Sequence, residues 1–167
     1  MTAYERPRPL AAGDVTAGFR CGAPELDAWL ERHARVAAAA GSARTFVTVS
    51  GDRVAGYYAL AAGSVERSAA VGRLGRGMPG HAVPVVVLAR LAVDLRDQRA
   101  GVGRGLLRDA LLRTLIAADS IGVRALIVHA RDERAADFYR RHGFEPSPTD
   151  PLHLLLLMKD VRATLRA

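Results

Sequence analysis

The sequence predicts a mixed α/β fold, in which a central sheet is flanked by helices. Antiparallel strand patterns come first, and an alternating strand–helix–strand–helix–strand unit follows them. Half of the 167 residues are apolar, which suffices to bury a sizeable core without disulfides or metals. We therefore expect one domain over residues 1–167.

Apolar periodicity, turn residues and caps predict the individual elements. Residues 1–23 are expected to be irregular or to hold one short strand, and residues 63–82, rich in Gly, Ser and Arg, to form a loop. Pro24 suits a first helical turn, Gly41 a helix end, and Asp132 a helix cap. The expected strands are 45–49, 54–62, 84–93, 124–130 and 153–158, and the expected helices are 24–41, 101–118 and 132–142.

The net charge favours a polyanionic partner. The chain has 24 Lys and Arg residues against 17 Asp and Glu residues, a net charge of +7. A GC-rich genome explains the preference for Arg over Lys, but it does not explain the sign. The lone Cys21 excludes an internal disulfide and a multi-cysteine metal site, so no metal is expected. Without a signal-like or membrane-length apolar run, a cytoplasmic protein that does not enter the membrane is expected.

The segment from Leu91 to Leu107 predicts a phosphate site. An apolar strand runs into a glycine-containing loop that opens a helix, whose first N–H groups lack internal partners and attract anions. Gly101 and Gly103 let the backbone approach a pyrophosphate closely, and Arg99 and Arg104 add positive charge. Leu106 replaces the last glycine of a dinucleotide fingerprint, and no Gly-Lys-Ser/Thr of a P-loop is present.

The spacing Gln98-x-x-Gly101-x-Gly103 resembles the pyrophosphate motif of the GNAT acetyltransferases. Residues 135–144, which read Ala-x-x-Phe-Tyr-x-x-x-Gly-Phe, resemble the second signature of that family, with Asp132 where an Asn is common. The resemblance implies the GNAT acyl-CoA N-acyltransferase fold, acetyl-coenzyme A as cofactor and N-acetyltransferase activity. It places the cofactor in a V-shaped opening between the strands that end near Val93 and Ala130.

The resemblance also assigns site residues. Tyr139 would protonate the departing thiolate, because a free thiol has a pKa of ~8.5 and a tyrosine ~10. The implied cofactor-binding residues are Leu91, Ala92, Val93, Gln98, Arg99, Ala100, Gly101, Val102, Gly103, Arg104, Asp132 and Phe138. Phe138 is also expected to pack in the core. No general base is identified, and His129 is expected to be an ordinary packed or rim residue. An α-amine, with a pKa of ~7.7–8.0, needs less help from a base than a lysine.

Longer segments resemble the GNAT toxins of bacterial toxin–antitoxin pairs. They include residues 18–30, 44–49, 54–64 and 84–94, and the likeness runs from about residue 8 to 160. It implies acetylation of the α-amine of aminoacyl-tRNA, which blocks translation, together with a ribbon–helix–helix type DNA-binding antitoxin and a homodimer. The candidate tRNA-binding residues are Arg32, Arg35, Arg73, Arg76, Arg90, Arg140 and Arg141.

Two other functions stay open at this point. One is a GNAT enzyme that acetylates a small-molecule amine or a protein N-terminus, although the Arg-rich segments disfavour cationic substrates. The other is a binding module without catalysis, which the positive charge supports. The glycine loop and Tyr139 argue against the binding module.

Overall fold

The computed structural model describes residues 3–66, 69–70 and 72–166. Positions 67, 68 and 71 of the predicted loop 63–82 lie outside the described residues. The strands are β1 (Arg8–Pro9), β2 (Arg44–Ser50), β3 (Arg53–Val65), β4 (Val83–Val93), β5 (Ala125–His129), β6 (Glu145–Ser147) and β7 (Asp150–Leu157). The helices are α1 (Pro24–Arg32), α2 (Ala34–Ala40), α3 (Val102–Ala118), α4 (Glu133–Arg141) and α5 (Met158–Arg166).

The strands form a seven-stranded sheet in the order β1-β2-β3-β4-β5-β7-β6. β4 and β5 pair in parallel, whereas β1 with β2, β2 with β3, β5 with β7, and β6 with β7 pair antiparallel. The predicted mixed α/β class is therefore confirmed. None of the helices in the described ranges combines the length and apolar character needed to cross a bilayer.

The described residues group into two compact units, and the single domain predicted over residues 1–167 stays a prediction. The first unit takes the chain up to Ala61 together with Ala89–Ala110. Its core includes Phe19, Leu30 and Tyr57, and the Tyr57 ring meets Phe19 edge-on at 5.6 Å. Gly56 allows α3 to approach β3, because a Cβ at that position would lie 2.8 Å from Leu106 Cδ1.

The second unit takes Ala62–Leu88 together with the residues from Leu111 onward. Its core includes Val83, Ala125 and Leu157. The Arg124 guanidinium donates hydrogen bonds to the carbonyl oxygens of Arg73, Leu74 and Arg76, so one side chain fixes the turn that precedes β4.

The structure corrects several predicted boundaries. The single helix predicted over 24–41 is two helices that meet at His33, whose φ of −118° departs from the helical value. Gly41 ends α2 as predicted, in the left-handed conformation. β3 extends to Val65 into the predicted loop, and Gly63 lets it pack closely, since a Cβ there would lie 2.9 Å from Val87. The sequence patterns missed β6 and α5.

Two buried carboxylates follow β4. Asp94 accepts hydrogen bonds from the backbone N–H groups of Arg20 and Arg96 and from the Arg96 guanidinium. Asp97 accepts two from the Arg53 guanidinium and one from the Tyr4 hydroxyl. Both carboxylates are at least 98% buried, so their charges depend on these donors.

We expect Asp94→Asn to lower the free energy of unfolding at neutral pH by about 2 kcal/mol, because the amide cannot replace a carboxylate that accepts charged and backbone donors. Burial alone would raise the pKa of Asp94, but the hydrogen bonds from the Arg96 side chain, the Arg96 backbone and the Arg20 backbone lower it to about 2. The carboxylate therefore stabilises the fold above the unfolded pKa of ~3.9, and this contribution is lost as the pH falls toward 2.

Urea titrations between neutral pH and pH ~3 measure both effects. The gap between wild type and Asp94→Asn should narrow at the acidic end. Asp52→Asn, at an exposed turn position, is the matched control and should change little. A gap of equal size at every pH would contradict the assignment.

Candidate functional site

The loop between β4 and α3 contains two residues in the left-handed conformation. Gln98 is extended, Arg99 has a φ of 65° and Gly101 a φ of 83°, and α3 begins at Val102. Left-handed residues beside a helix start direct successive amide groups to one side, an arrangement that binds anions. The first N–H groups of α3 have no intrahelical partner. This backbone geometry suits an anion, and the phosphate site stays a prediction.

Arg99 is the one non-glycine residue with a positive φ among the described residues. Its side chain is exposed, as are Ala100, Gly101 and Arg104, whereas Gly103 is half-buried and Val102 buried. A left-handed arginine stores strain that the surrounding structure must hold in place. No motif in the sequence marks this conformation, so the prediction included the charge of Arg99 but not its backbone geometry.

Gln98 has a structural task at this site. Its side-chain amide donates hydrogen bonds to the carbonyl oxygens of Cys21 at 3.1 Å and Val93 at 3.0 Å. The end of β4 is also tied to β3 by the bond from the Asp94 N–H to the Ala55 carbonyl. The nitrogen of Gln98 therefore fixes the strand end from which the loop departs.

The end of β4 contributes three predicted residues. Ala92 is buried in the core of the first unit, and Leu91 and Val93 are half-buried. Because Leu91 and Val93 share one face of the strand, their side chains point away from that of Ala92. Arg90 places its guanidinium carbon 4.2 Å from the centroid of the Trp29 ring, which is a cation–π contact.

Three more predicted residues lie on or beside α4 in the second unit. Asp132 caps the helix by accepting a hydrogen bond from the Ala135 N–H at 2.8 Å, as predicted. Phe138 meets the Tyr139 ring edge-on at 5.2 Å, and Phe144 meets it at 5.4 Å. The structure thus brings Gln98 to Arg104 together in one loop and Phe138 and Tyr139 together in one aromatic group.

The ring of Tyr139 is buried, and burial raises its pKa, so the hydroxyl keeps its proton at neutral pH. Within the described residues, Thr45 Oγ1 is the one buried side-chain polar atom without a hydrogen-bond partner. The Tyr139 hydroxyl has no hydrogen-bond partner among those residues either. Because it is not among the buried atoms, it lies at the accessible edge of its ring. This tyrosine can present a proton to a ligand.

The seven predicted tRNA-binding arginines divide by their partners. Arg32, Arg76 and Arg141 are exposed and form no ion pair with a described residue. The other four are already engaged: Arg35 with the carbonyls of Ala11 and Asp14, Arg73 with Glu145 and Asp160, Arg90 with Trp29, and Arg140 with Glu133 and Asp137.

The sequence analysis missed a histidine pair in the second unit. The rings of His129 and His153 stack with centroids 4.0 Å apart, and His153 Nε2 lies 3.4 Å from a carboxylate oxygen of Asp150. Burial, and then the neighbouring His153, lowers the pKa of His129. The pair exists because β5 and β7 align these two positions, a register that spacing along the chain does not reveal.

Comparisons with known proteins identify an acetyltransferase family. Residues 41–146 match the family profile described as the acetyltransferase (GNAT) domain. Over 165 residues the chain is 50% identical to the tRNA-acetylating toxin of Mycobacterium tuberculosis, with 99% of each chain covered.

Two solved structures are also similar. AtaT complexed with acetyl-methionyl-tRNAfMet has a TM-score of 0.87 and 25% identity, covering 96% of this chain and 98% of that one. A mutant AtaT toxin bound to the C-terminus of the antitoxin AtaR and acetyl-CoA has a TM-score of 0.84 and 25% identity, covering 98% and 99%.

We expect Gly101→Ala to weaken the binding of coenzyme A by about 5- to 30-fold, because a Cβ disfavours the left-handed conformation on which the loop depends by roughly 1–2 kcal/mol. Calorimetric titration with coenzyme A measures the effect. Gly18→Ala is the matched control: its φ of 86° imposes similar strain in open space, so stability should fall while affinity does not. Equal affinity losses in both variants would contradict the loop assignment.

Proposed function

Because the chain belongs to the GNAT acetyltransferase family, we propose that it transfers acetyl from acetyl-coenzyme A to the α-amine of aminoacyl-tRNA. The product cannot accept a growing peptide, so the protein would act as the translation-blocking toxin of a toxin–antitoxin pair. The observation that carries this proposal is the 50% identity to a tRNA-acetylating toxin over 99% of both chains.

The fit of the cofactor to the loop supports the proposal. The left-handed Arg99 and Gly101, the open start of α3 and the exposed Arg104 suit a diphosphate. Leu91 and Val93 would offer backbone groups to the pantetheine arm, and the other proposed cofactor contacts are the residues of the loop, Asp132 and Phe138. Acetyl-coenzyme A supplies the acetyl group as a thioester.

Tyr139 is the proposed acid. Its raised pKa keeps the hydroxyl protonated at neutral pH, so that a proton is available when the departing thiolate lies beside it. The aromatic contacts to Phe138 and Phe144 fix the ring, so the hydroxyl has one direction in which to donate. Solvent would then reprotonate the tyrosine at its accessible edge.

Charge supports an RNA substrate. A tRNA is a dense polyanion, and exposed arginines at phosphates supply much of the affinity for such a partner. Arg32, Arg76 and Arg141 are the proposed direct contacts because their guanidinium groups are not paired with a described carboxylate. The other proposed tRNA contacts are Arg35, Arg73, Arg90 and Arg140, which would bind phosphates while they retain their contacts within the protein.

The proposal extends to partners and location. A substrate that is charged tRNA implies action in the cytoplasm. The proposed antitoxin is a DNA-binding protein of the ribbon–helix–helix type, and a homodimer is the proposed assembly; the similarity to AtaT bound to a segment of AtaR supports the antitoxin.

Incubation with labelled acetyl-coenzyme A and a mixed pool of charged tRNA tests the function. We expect the label on the α-nitrogen of the aminoacyl adenosine released by nuclease digestion. Uncharged tRNA is the control and should stay unlabelled. Efficient labelling of free amines or protein N-termini, with charged tRNA untouched, would replace this function by the small-amine alternative.

For Tyr139→Phe we expect acetyl transfer to fall by about 10²–10⁴-fold while coenzyme A binding is kept, because only the acidic hydroxyl is removed. Single-turnover transfer to charged tRNA and calorimetry separate the two effects. Tyr58→Phe is a control at another buried tyrosine, whose hydroxyl donates to Asp109 within the first unit. It should cost stability but not the chemical step. A Tyr139→Phe enzyme with wild-type rates would exclude the acid role.

For Arg141→Gln we expect weaker binding to all charged tRNAs and a salt dependence whose logarithmic slope is smaller by about one, the signature of a lost phosphate contact. Filter binding over a series of salt concentrations measures the slope. Lys159→Gln is the comparison, since it removes an exposed cation that is not among the proposed contacts. If both variants reduced the slope equally, the net charge alone would account for tRNA binding.

A further inference from the structure

Residues of the second unit line a cavity of about 230 Å³. Apolar side chains, among them Val65, Leu74 and Ile127, line part of it. The imidazoles of His129 and His153 and the hydroxyl of Thr149 supply its polar part. A mostly apolar cavity with a few convergent polar groups is typical of a site for a small organic group.

His129 places this cavity at the end of the sheet where ligands are expected to bind. β4 and β5 pair in parallel, and the register runs from Val85 opposite Ala125 to Leu88 opposite Val128. His129 follows directly as the last residue of β5. Ligands of open α/β sheets bind beyond the carboxyl ends of parallel strands, which is where His129 stands.

The charges around His129 suit a proton acceptor. The groups that act on its ring are His153, which stacks on it, and Asp150, which lies 3.4 Å from His153 Nε2. Burial and then His153 lower the pKa of His129, so the imidazole is neutral at pH 7 and has a free lone pair. Once the imidazole is protonated, the Asp150 carboxylate offsets part of the new charge.

We infer that His129 accepts the proton that the attacking α-amine loses, an inference that rests on the proposed function. The amine nitrogen forms a bond to the thioester carbonyl carbon, and its N–H proton passes to the unprotonated ring nitrogen of His129. The carbon–sulfur bond breaks, and the thiolate takes the hydroxyl proton of Tyr139. Solvent then removes the proton from His129 and restores the tyrosine, so one proton moves from nitrogen to sulfur overall.

His153 and Asp150 are positioning residues in this scheme. The stacked ring of His153 holds His129 at the cavity, and an Asp150 carboxylate oxygen lies 3.4 Å from His153 Nε2. Leu154 and Leu155 follow on β7 and are buried, which anchors the strand that carries the pair. The amino-acid side chain of the charged tRNA would enter the apolar part of the cavity, with the amine directed to His129.

His129→Gln tests the inference, with His81→Gln as the matched control at an exposed histidine outside the cavity. We expect kcat for charged tRNA to fall by about 10²-fold in His129→Gln, with little change in KM, and wild-type rates in His81→Gln. His129→Asn should reproduce the loss, and urea unfolding of each variant shows whether it is folded.

The pH profile supplies a readout that a structural role would not change. Below the pKa of His129, log kcat/KM of the wild type should fall with a slope of about two, because the amine and the imidazole must both be neutral. His129→Gln should show a slope of about one, from the amine alone. Measurement by single turnover from pH ~5 to ~7.5 covers this window.

Two results would overturn the inference: an unchanged kcat in His129→Gln, whether or not KM rises, or a lowered kcat with the wild-type slope of the pH profile. Each leaves the proposed function intact if wild-type protein acetylates charged tRNA in the same assay. A wild-type protein that leaves charged tRNA unmodified would instead refute the proposed function itself.

Discussion

A loop whose backbone amides are to be available to an anion cannot use those amides to hold itself together. In this protein the loop after β4 is held from outside by two buried carboxylates and one amide. Asp94 fixes the strand end through the backbone N–H of Arg20, Asp97 accepts from Arg53 on β3, and Gln98 donates to two carbonyl oxygens. In the proposed cofactor site the N–H groups that follow would be left for the ligand, and these buried carboxylates would support the loop without binding the ligand themselves.

Features of the site that depend on local sequence could be predicted, whereas features that depend on distant contacts could not. A glycine at position 101 is compatible with a left-handed backbone, and a helix start has unpaired amides. The backbone character of the loop was therefore predictable from local rules. The left-handed Arg99 and the histidine pair were not. Arginine rarely adopts the left-handed conformation, so the residue type does not predict it at position 99, and His129 meets His153 only through the register of β5 with β7.

The same distinction separates the elements that were predicted from those that were missed. Long apolar runs and strong caps place β4, α3 and α4 within one or two residues. β6 is three residues long and contains Pro146, so only its partner strand defines it. α5 begins at Met158 directly after β7, without a cap signal between them. The pattern from Pro24 to Gly41 is continuous, but the helix is interrupted at His33, and the next residue, Ala34, is fully buried in the core.

The net charge of +7 is a weaker guide to RNA binding than the state of each arginine. Several guanidinium groups donate hydrogen bonds to carboxylates or carbonyl oxygens within the protein and so organise its loops, namely those of Arg53, Arg73 and Arg124. A cation already paired with a carboxylate gains less from a phosphate, because the first pair must be broken or shared. The proposed affinity for a polyanion would therefore depend on the smaller set of exposed arginines without a described ion pair, such as Arg32 and Arg141. Composition predicts the class of partner, whereas only the structure shows which cations remain available to it.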